Sequence, residues 1–133
     1  MEIIDEELLD SITIQAIESP RLRMNYNFHE SNDSKSQRLL NAVEPGTALP
    51  IHRHLNTPET YIVLKGSLNL LLYSENKELV GCREINPKKG VFGVDIPAGQ
   101  WHTIEVIESG TVIFEVKDGP YKPLVEENIL VVG

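Results

Sequence analysis

The chain has 133 residues, a formal net charge of -8 and one cysteine, Cys82. A chain of this length forms one domain and can bury a core without disulfide bonds. The acidic balance argues against nucleic acid and anionic membranes as partners, because both attract basic surfaces. A lone cysteine cannot form an internal disulfide, and the sequence shows neither a long apolar run nor a basic leader at its start. We therefore expect a cytoplasmic protein.

The first 35 residues are predicted to form a helix and a strand. The helix begins after Asp5, a good N-cap, and ends at Ser19, which precedes a proline. Apolar residues recur in it at helical spacing: Leu8, Leu9, Ile12 and Ala16. From Arg21 to His29 the period changes to two, which predicts a strand. Its polar face is either solvated or the wall of a ligand site, and it carries Arg23, Asn25, Asn27 and His29.

The rest of the chain reads as short strands separated by Gly and Pro. A strand is predicted at Arg38–Val43, and an apolar hairpin at Tyr61–Leu64 and Ser67–Tyr73 about Lys65-Gly66. Further strands are predicted at Leu79–Ile85, Gly90–Ile96 and Ile129–Val132. Many short strands beside one helix predict an all-β sandwich or barrel.

Three histidines and a glutamate form the candidate metal site. His52 and His54 are one residue apart, so on a strand both side chains point to the same face. The stretch Asn56-Thr57-Pro58 has turn chemistry, so Glu59 is expected to begin a returning strand. His102 follows the turn sequence Pro97-Ala98-Gly99 and opens another apolar run. Any of these residues alone is unremarkable, but the set indicates a metal centre.

These residues carry a resemblance to the cupins. Gly46, His52, His54, Glu59 and Gly66 stand at the spacing of the first cupin motif. Gly90, Pro97, Gly99 and His102 resemble the second motif, with one extra residue between Gly90 and Pro97 and with Val106 where an asparagine is often found. Longer stretches are similar to the WbuC family of cupin-fold metalloproteins, among them RLLNAVEPGT, GVDIPAGQWHT and FEVKDGPYKP.

The resemblance covers nearly the whole chain and implies a single all-β cupin domain, residues 1–133. Within it, residues 1–35 would be a helix-and-strand extension and residues 36–133 the jelly-roll barrel, a double-stranded β-helix. One divalent metal ion would be held by His52, His54, Glu59 and His102. Imidazole and carboxylate suit iron, manganese, zinc, nickel or cobalt, and the ligand set does not choose among them. In a six-coordinate ion, four protein ligands leave two positions open, as a catalytic site requires.

Other residues are candidates for chemistry or ligand binding. Tyr61 and His29 are candidate catalytic residues, although Tyr61 could be ordinary core and His29 a structural residue. Candidates for binding an anionic substrate are Arg23, Asn25, Arg38 and Asn41. The position of Glu115 is ambiguous, because the alternation of Val112, Phe114 and Val116 resembles a buried face and would turn Glu115 away from the site.

Two classes of function remain open at this stage. One is a metal-dependent isomerase, epimerase or oxygenase acting on a small polar molecule. The other is a noncatalytic module that binds or senses a small molecule together with a metal, and fold alone does not separate the two. The family's link to surface-polysaccharide gene clusters implies a sugar-derived ligand. Because β-rich domains must protect their strand edges, we also expect a symmetric homodimer that uses the N-terminal segment.

Overall fold

The helix predicted near the start of the chain is present in the computed structural model, which describes residues 1–130. This helix, α1, spans Glu6–Glu18, and the Asp5 carboxylate accepts a hydrogen bond from the Leu8 backbone N–H at 3.0 Å. Ser19 ends the helix, as expected of the residue before a proline. No helix within residues 1–130 is long and apolar enough to cross a membrane.

Ten strands follow α1 within residues 19–130. In order they are β1 (Arg23–Asn27), β2 (Ser36–Val43), β3 (Ile51–His52), β4 (Glu59–Lys65), β5 (Leu68–Tyr73), β6 (Leu79–Ile85), β7 (Gly93–Ile96), β8 (Trp101–Val106), β9 (Thr111–Asp118) and β10 (Ile129–Leu130). Short 3₁₀ helices occupy Pro87–Lys89 and Glu126–Asn128. The last predicted strand is thus present at Ile129–Leu130, and Val131 and Val132 lie outside the described residues.

The strands form two five-stranded antiparallel sheets. The first has the order β1-β2-β9-β4-β7 and the second β10-β3-β8-β5-β6. The prediction of an all-β domain with one short N-terminal helix is therefore confirmed. The strand of the N-terminal extension, β1, is an integral edge of the first sheet, where Asn25 pairs with Asn41.

Two predicted hairpins are wrong. We expected β4 to pair with β5, but β4 lies in the first sheet and β5 in the second. The chain crosses between the sheets at Gly66, where φ is +83° and a Cβ atom would lie 2.2 Å from Thr111 Oγ1. Likewise Glu59 does not return beside His52, because β3 and β4 also belong to different sheets. Turn residues predict where the chain changes direction, but they do not predict which sheet the next strand joins.

Two apolar clusters hold these layers together. One lies between the sheets and includes Tyr61, Val63, Leu70, Ile104 and Ile113. The other lies between α1 and the outer face of the first sheet and is formed by Leu9, Ile12, Ala16, Leu40, Ala42 and Val112. Residues of β2 and β9 therefore contact apolar groups on both faces, since their side chains alternate between the two clusters.

Candidate metal centre

Two of the predicted ligands face each other across one strand pair. His52 on β3 is the cross-strand partner of His102 on β8, and their ring centroids are 4.4 Å apart. His102 is only 1% exposed, whereas His52 is partly exposed. Burial lowers the pKa of His52 to about 4, so its imidazole is neutral at physiological pH. Neutral imidazole is the form that binds a metal.

The carboxylate of the site comes from the opposite sheet. Glu59 is the first residue of β4 and is 5% exposed. Its Oε1 lies 3.4 Å from His102 Nε2, and its Oε2 lies 3.5 Å from His54 Nε2. Burial raises the pKa of Glu59, but the contacts with His102, His54 and Tyr61 outweigh burial and leave that pKa below its ordinary value. The carboxylate is therefore ionised, as metal binding requires.

Backbone carbonyls orient both imidazoles toward the carboxylate. His52 Nδ1 lies 2.9 Å from the Pro50 carbonyl oxygen, and His102 Nδ1 lies 2.9 Å from that of Gln100. A carbonyl only accepts hydrogen bonds, so in each neutral ring Nδ1 carries the hydrogen and Nε2 keeps a lone pair. Among residues 1–130, nothing hydrogen-bonds to the buried Nε2 of His102, although it faces a carboxylate oxygen. A cation bound between them would satisfy both groups at once, and metal-binding histidines usually donate their other ring N–H to a carbonyl or carboxylate as His52 and His102 do here.

The ligand atoms of His52, Glu59 and His102 all lie within 4.8 Å of one another. This cluster of two histidines and a carboxylate is compatible with a metal site. His54, the fourth expected ligand, is at the edge of the cluster. Its ring centroid is 5.2 Å from that of His52. Its Nε2 contacts the Glu59 carboxylate, but His54 is not part of the three-residue cluster. His54 as a fourth ligand therefore stays a prediction.

His52, His54 and Glu59 line a cavity of about 560 Å³. Three of the four residues named for substrate binding, Arg23, Asn25 and Asn41, line this cavity. Arg38 does not, because it alternates with Gln37 and Leu39 along β2 and is exposed on the side of the sheet that carries α1. The placement of Arg38 in the ligand site was therefore wrong. Arg38 and Asn41 are three residues apart, so on one strand they point to opposite faces.

The orientation that alternation suggested for the ambiguous Glu115, away from the site, is also wrong. The apolar residues that suggested it belong to the outer face of β9, where Val112 is buried against α1 and Phe114 packs beside it. Glu115 lines the cavity instead and accepts a hydrogen bond from Asn41 Nδ2 at 3.0 Å. Burial and the nearby charge of Glu59 raise the pKa of Glu115 to about 7. Because β9 is apolar on both faces near Val112 and Ile113, alternation alone did not identify its inner face.

The two candidate catalytic residues occupy different places in the cavity wall. The Tyr61 hydroxyl donates a hydrogen bond to Glu59 Oε1 at 2.8 Å. Burial and the charges of Glu59 and Glu115 raise the pKa of Tyr61 well above its ordinary value, so this residue stays protonated and holds the carboxylate in place. His29 lies at the rim, with Nδ1 3.1 Å from both the backbone nitrogen and the carbonyl oxygen of Arg38.

Residues that follow β9 also line the cavity, and the sequence did not predict this position for them. Tyr121, Lys122 and Leu124 contribute to its wall, and β10 then pairs with β3 through Ile129 and His52. Arg53 joins the two segments, because its Nε donates to Asn128 Oδ1 at 3.0 Å. The proline-rich sequence Pro120-Tyr121-Lys122-Pro123 excluded regular structure here, but nothing in it indicated a contact with the histidine strand.

Similarities to known proteins agree with this architecture. The structure superimposes on the capsular polysaccharide assembling protein CapF from Staphylococcus aureus with a TM-score of 0.60 and 22% identity, covering 74% of this chain and 27% of that protein. It matches a putative sugar phosphate isomerase from Acidithiobacillus ferrooxidans with a TM-score of 0.58 and 23% identity, covering 73% of this chain and 59% of the other. For the Schizosaccharomyces pombe Cnp3 cupin domain the TM-score is 0.57 and the identity 8%, with 72% and 64% covered.

The chain thus spans about a quarter of the length of CapF, and its fold is that of the cupins. A search of curated protein sequences finds no match. A family model does match, over residues 4–85, and its description is a domain of unknown function, DUF6016. The WbuC family is not what this match shows. The chain is a cupin-fold protein that belongs to the DUF6016 family.

Proposed function

We propose that this protein is a metal-dependent enzyme of the isomerase or epimerase type, which acts on a small, anionic, sugar-derived molecule. The observation that carries the proposal is the cluster of His52, Glu59 and His102, in which His52 and Glu59 line a cavity of about 560 Å³. A cavity of this size holds a single sugar unit. Two structural relatives, a capsular polysaccharide assembling protein and a putative sugar phosphate isomerase, support the same ligand class, as does the resemblance to the WbuC family.

In this proposal His52, Glu59 and His102 hold a divalent ion, with His54 as the fourth ligand. A bound ion would act as a Lewis acid that polarises a carbonyl or hydroxyl oxygen of the substrate. Tyr61 keeps Glu59 oriented through its hydrogen bond, and the carbonyls of Pro50 and Gln100 fix the two imidazoles. These contacts preorganise the ligands before the ion arrives.

The cavity wall supplies charge for an anionic substrate. Arg23 lines it and donates to the Ala48 carbonyl oxygen at 3.0 Å, which leaves further guanidinium N–H groups for an anion. Lys117 also lines the cavity and is the cross-strand partner of Glu59. Two cations near the metal cluster of an acidic protein favour a carboxylate or phosphate on the substrate.

Titratable groups outside the metal cluster favour an enzyme over a binding module. An isomerase or epimerase moves a proton between substrate atoms, so it needs such a group beside the substrate. Glu115 and His29 both line the cavity. A noncatalytic module requires neither.

Solvent-exchange NMR tests the proposal. Metal-loaded protein is incubated in D₂O with a panel of aldose and ketose phosphates, and deuterium uptake at carbon is followed together with product formation. We expect uptake with at least one compound, and its loss in His102→Ala. Arg38→Ala is the matched control, because Arg38 faces away from the cavity. Binding of a sugar phosphate without exchange or turnover would instead identify a binding module.

A further inference from the structure

A polar pair inside the cavity is not used by the metal cluster. Asn41 on β2 and Glu115 on β9 are joined by the 3.0 Å hydrogen bond from Nδ2 to Oε1. Glu115 is in turn the cross-strand partner of Tyr61, which reaches Glu59. Glu59 pairs with Lys117, so Glu115 is its diagonal neighbour on the same inner face, at a distance on the order of 7–8 Å. The pair therefore lies within one small molecule's length of the metal cluster.

Asn41 has an unused hydrogen-bonding atom. The residue is 8% exposed, and its Oδ1 is buried without a partner among residues 1–130. An unpaired buried amide oxygen is costly, so native proteins rarely leave one without a partner from water or ligand. Reversing the amide would bring its oxygen to Glu115 and leave the NH₂ group unpaired instead. In both orientations one polar atom of Asn41 is left for a partner that enters the cavity.

We propose that Asn41 and Glu115 form a hydroxyl-binding subsite, which holds a sugar hydroxyl while another oxygen of the same molecule occupies the metal cluster. The proposal rests on the proposed function only for the class of ligand. A hydroxyl both donates and accepts, so it can donate its hydrogen to Asn41 Oδ1 and accept a hydrogen bond from the free oxygen of Glu115 when that carboxyl is protonated. A phosphate or carboxylate fits this subsite poorly, because Glu115 would repel it and Asn41 would face it with an oxygen.

The protonation state of Glu115 does not limit this role. Its pKa is raised to about 7 by burial and the charge of Glu59, so both forms are present near neutral pH. The protonated form donates to the oxygen of the hydroxyl that Asn41 Oδ1 binds, whereas the ionised form accepts from a neighbouring hydroxyl of the same molecule, because one hydroxyl has a single hydrogen to donate. Arg23 and Lys117 remain for the anionic end of the ligand, which gives the cavity separate positions for hydroxyl and anion.

A neutral polyol tests the subsite without needing a reaction. Xylitol is titrated into ¹⁵N-labelled full-length protein, with and without Zn²⁺, and the side-chain amide signals of asparagines are followed by NMR. Tetrahydropyran, a ring ether without hydroxyls, is the control compound. Asn69 is the internal control, because its Nδ2 donates to Glu105 Oε1 at 3.1 Å on the exposed outer face of the other sheet. We expect saturable shifts of the Asn41 amide with xylitol and none of the Asn69 amide.

Variants check that the pair itself binds the polyol. Asn41→Leu should weaken xylitol binding about five-fold, because it removes one hydrogen bond worth on the order of 1 kcal/mol. Asn69→Leu should leave xylitol binding unchanged. If Asn41→Leu fails to fold, the wild-type titration still decides: shifts that are absent, equal at Asn41 and Asn69, or equal for tetrahydropyran overturn the proposal. A protein that binds xylitol at Asn41 but transforms no sugar phosphate contradicts the proposed function alone.

Discussion

His52 and His102 form a cross-strand pair between β3 and β8, and the residue that completes their cluster, Glu59, comes from the facing sheet. The site therefore lies between two layers rather than on one hairpin. A metal ion bound here would tie the sheets together at the end of the barrel where β3, only two residues long, has few hydrogen bonds of its own.

The hydrogen bond from Tyr61 to Glu59 leads to a first prediction. Replacing Tyr61 with Phe removes the donor but keeps the ring in the apolar cluster between the sheets. We expect the metal dissociation constant to rise about 10–100-fold, the usual effect of losing a group that orients a metal ligand. Competition with a chromogenic chelator measures this constant. Tyr73→Phe is the matched control, and equal affinities in both variants would contradict the orienting role.

A second prediction concerns recognition of the anion. Arg23→Ala should weaken binding of inorganic phosphate to the metal-loaded protein about ten-fold, because a charge-assisted hydrogen bond contributes about 1.5–3 kcal/mol. Metal content should not change. Isothermal titration calorimetry measures the affinity, and Arg38→Ala serves as the control because Arg38 is exposed on the opposite side of the sheet. If only Arg38→Ala lost affinity for phosphate, Arg38 and not Arg23 would be the anion-binding arginine, which would contradict the prediction.

The pKa of Glu115 predicts one contribution to the pH dependence of stability in the metal-free protein, and the lowered pKa of His52 predicts a contribution of the opposite sign. Its pKa is about 7 in the folded state against 4.5 ordinarily, so between these values the folded chain holds more protons than the unfolded chain. Stability contributed by this group therefore falls as pH rises from 4.5 to about 7. The loss is at most about 3 kcal/mol, since each pKa unit corresponds to 1.36 kcal/mol.

Glu115→Gln should remove this contribution, so that between pH 4.5 and 7 the stability of the variant falls less, or rises more, than that of the wild type. Urea unfolding in EDTA at several pH values, for wild type and for Glu115→Gln, gives the difference directly. Glu105→Gln is the control, because Glu105 is exposed on the outer face of the second sheet. Parallel pH profiles for wild type and Glu115→Gln would show that the Glu115 carboxyl titrates alike in the folded and unfolded chains.

Some parts of this arrangement are predictable from the sequence and others are not. The helix limits follow from local chemistry, because Asp5 caps one end and Ser19-Pro20 closes the other. The all-β class follows from strand length and turn residues, and the grouping of His52, Glu59 and His102 from their spacing. Local sequence does not predict which sheet each strand joins. The crossing at Gly66, for example, depends on contacts with Thr111, which is distant in sequence.

The errors at Arg38 and Glu115 have one physical origin. The first sheet is covered on both faces, by α1 outside and by the second sheet inside. In β2 and β9 both sets of alternating residues therefore include apolar side chains, such as Leu40 beside Val43 and Val112 beside Ile113. The alternation of side chains shows that each strand has two faces, but it does not show which face lines the cavity. The pairing of Glu115 with Tyr61 supplies that information, and it is known only from the tertiary structure.

Self-association through the N-terminal segment stays a prediction. The outer side of α1 exposes Ile14 and Ile17, at 57% and 52%, while Leu9 and Ile12 are buried against the sheet. A symmetric dimer would cover these two isoleucines. Multi-angle light scattering at high micromolar concentration should give twice the chain mass, and Ile14→Ser with Ile17→Ser should give the monomer mass. A monomer mass for the wild type would dispose of the prediction.

The central claim is that the histidine and glutamate cluster binds one divalent metal ion. Anomalous diffraction from crystals of the protein purified without chelators, with elemental analysis of the same preparation, tests it most directly. We predict about one metal per chain and an anomalous peak among His52, His54, Glu59 and His102, with nitrogens at about 2.0–2.2 Å. His52→Ala with His54→Ala should lose the metal and keep the fold. A metal-replete crystal with no anomalous peak among these four side chains would contradict the account.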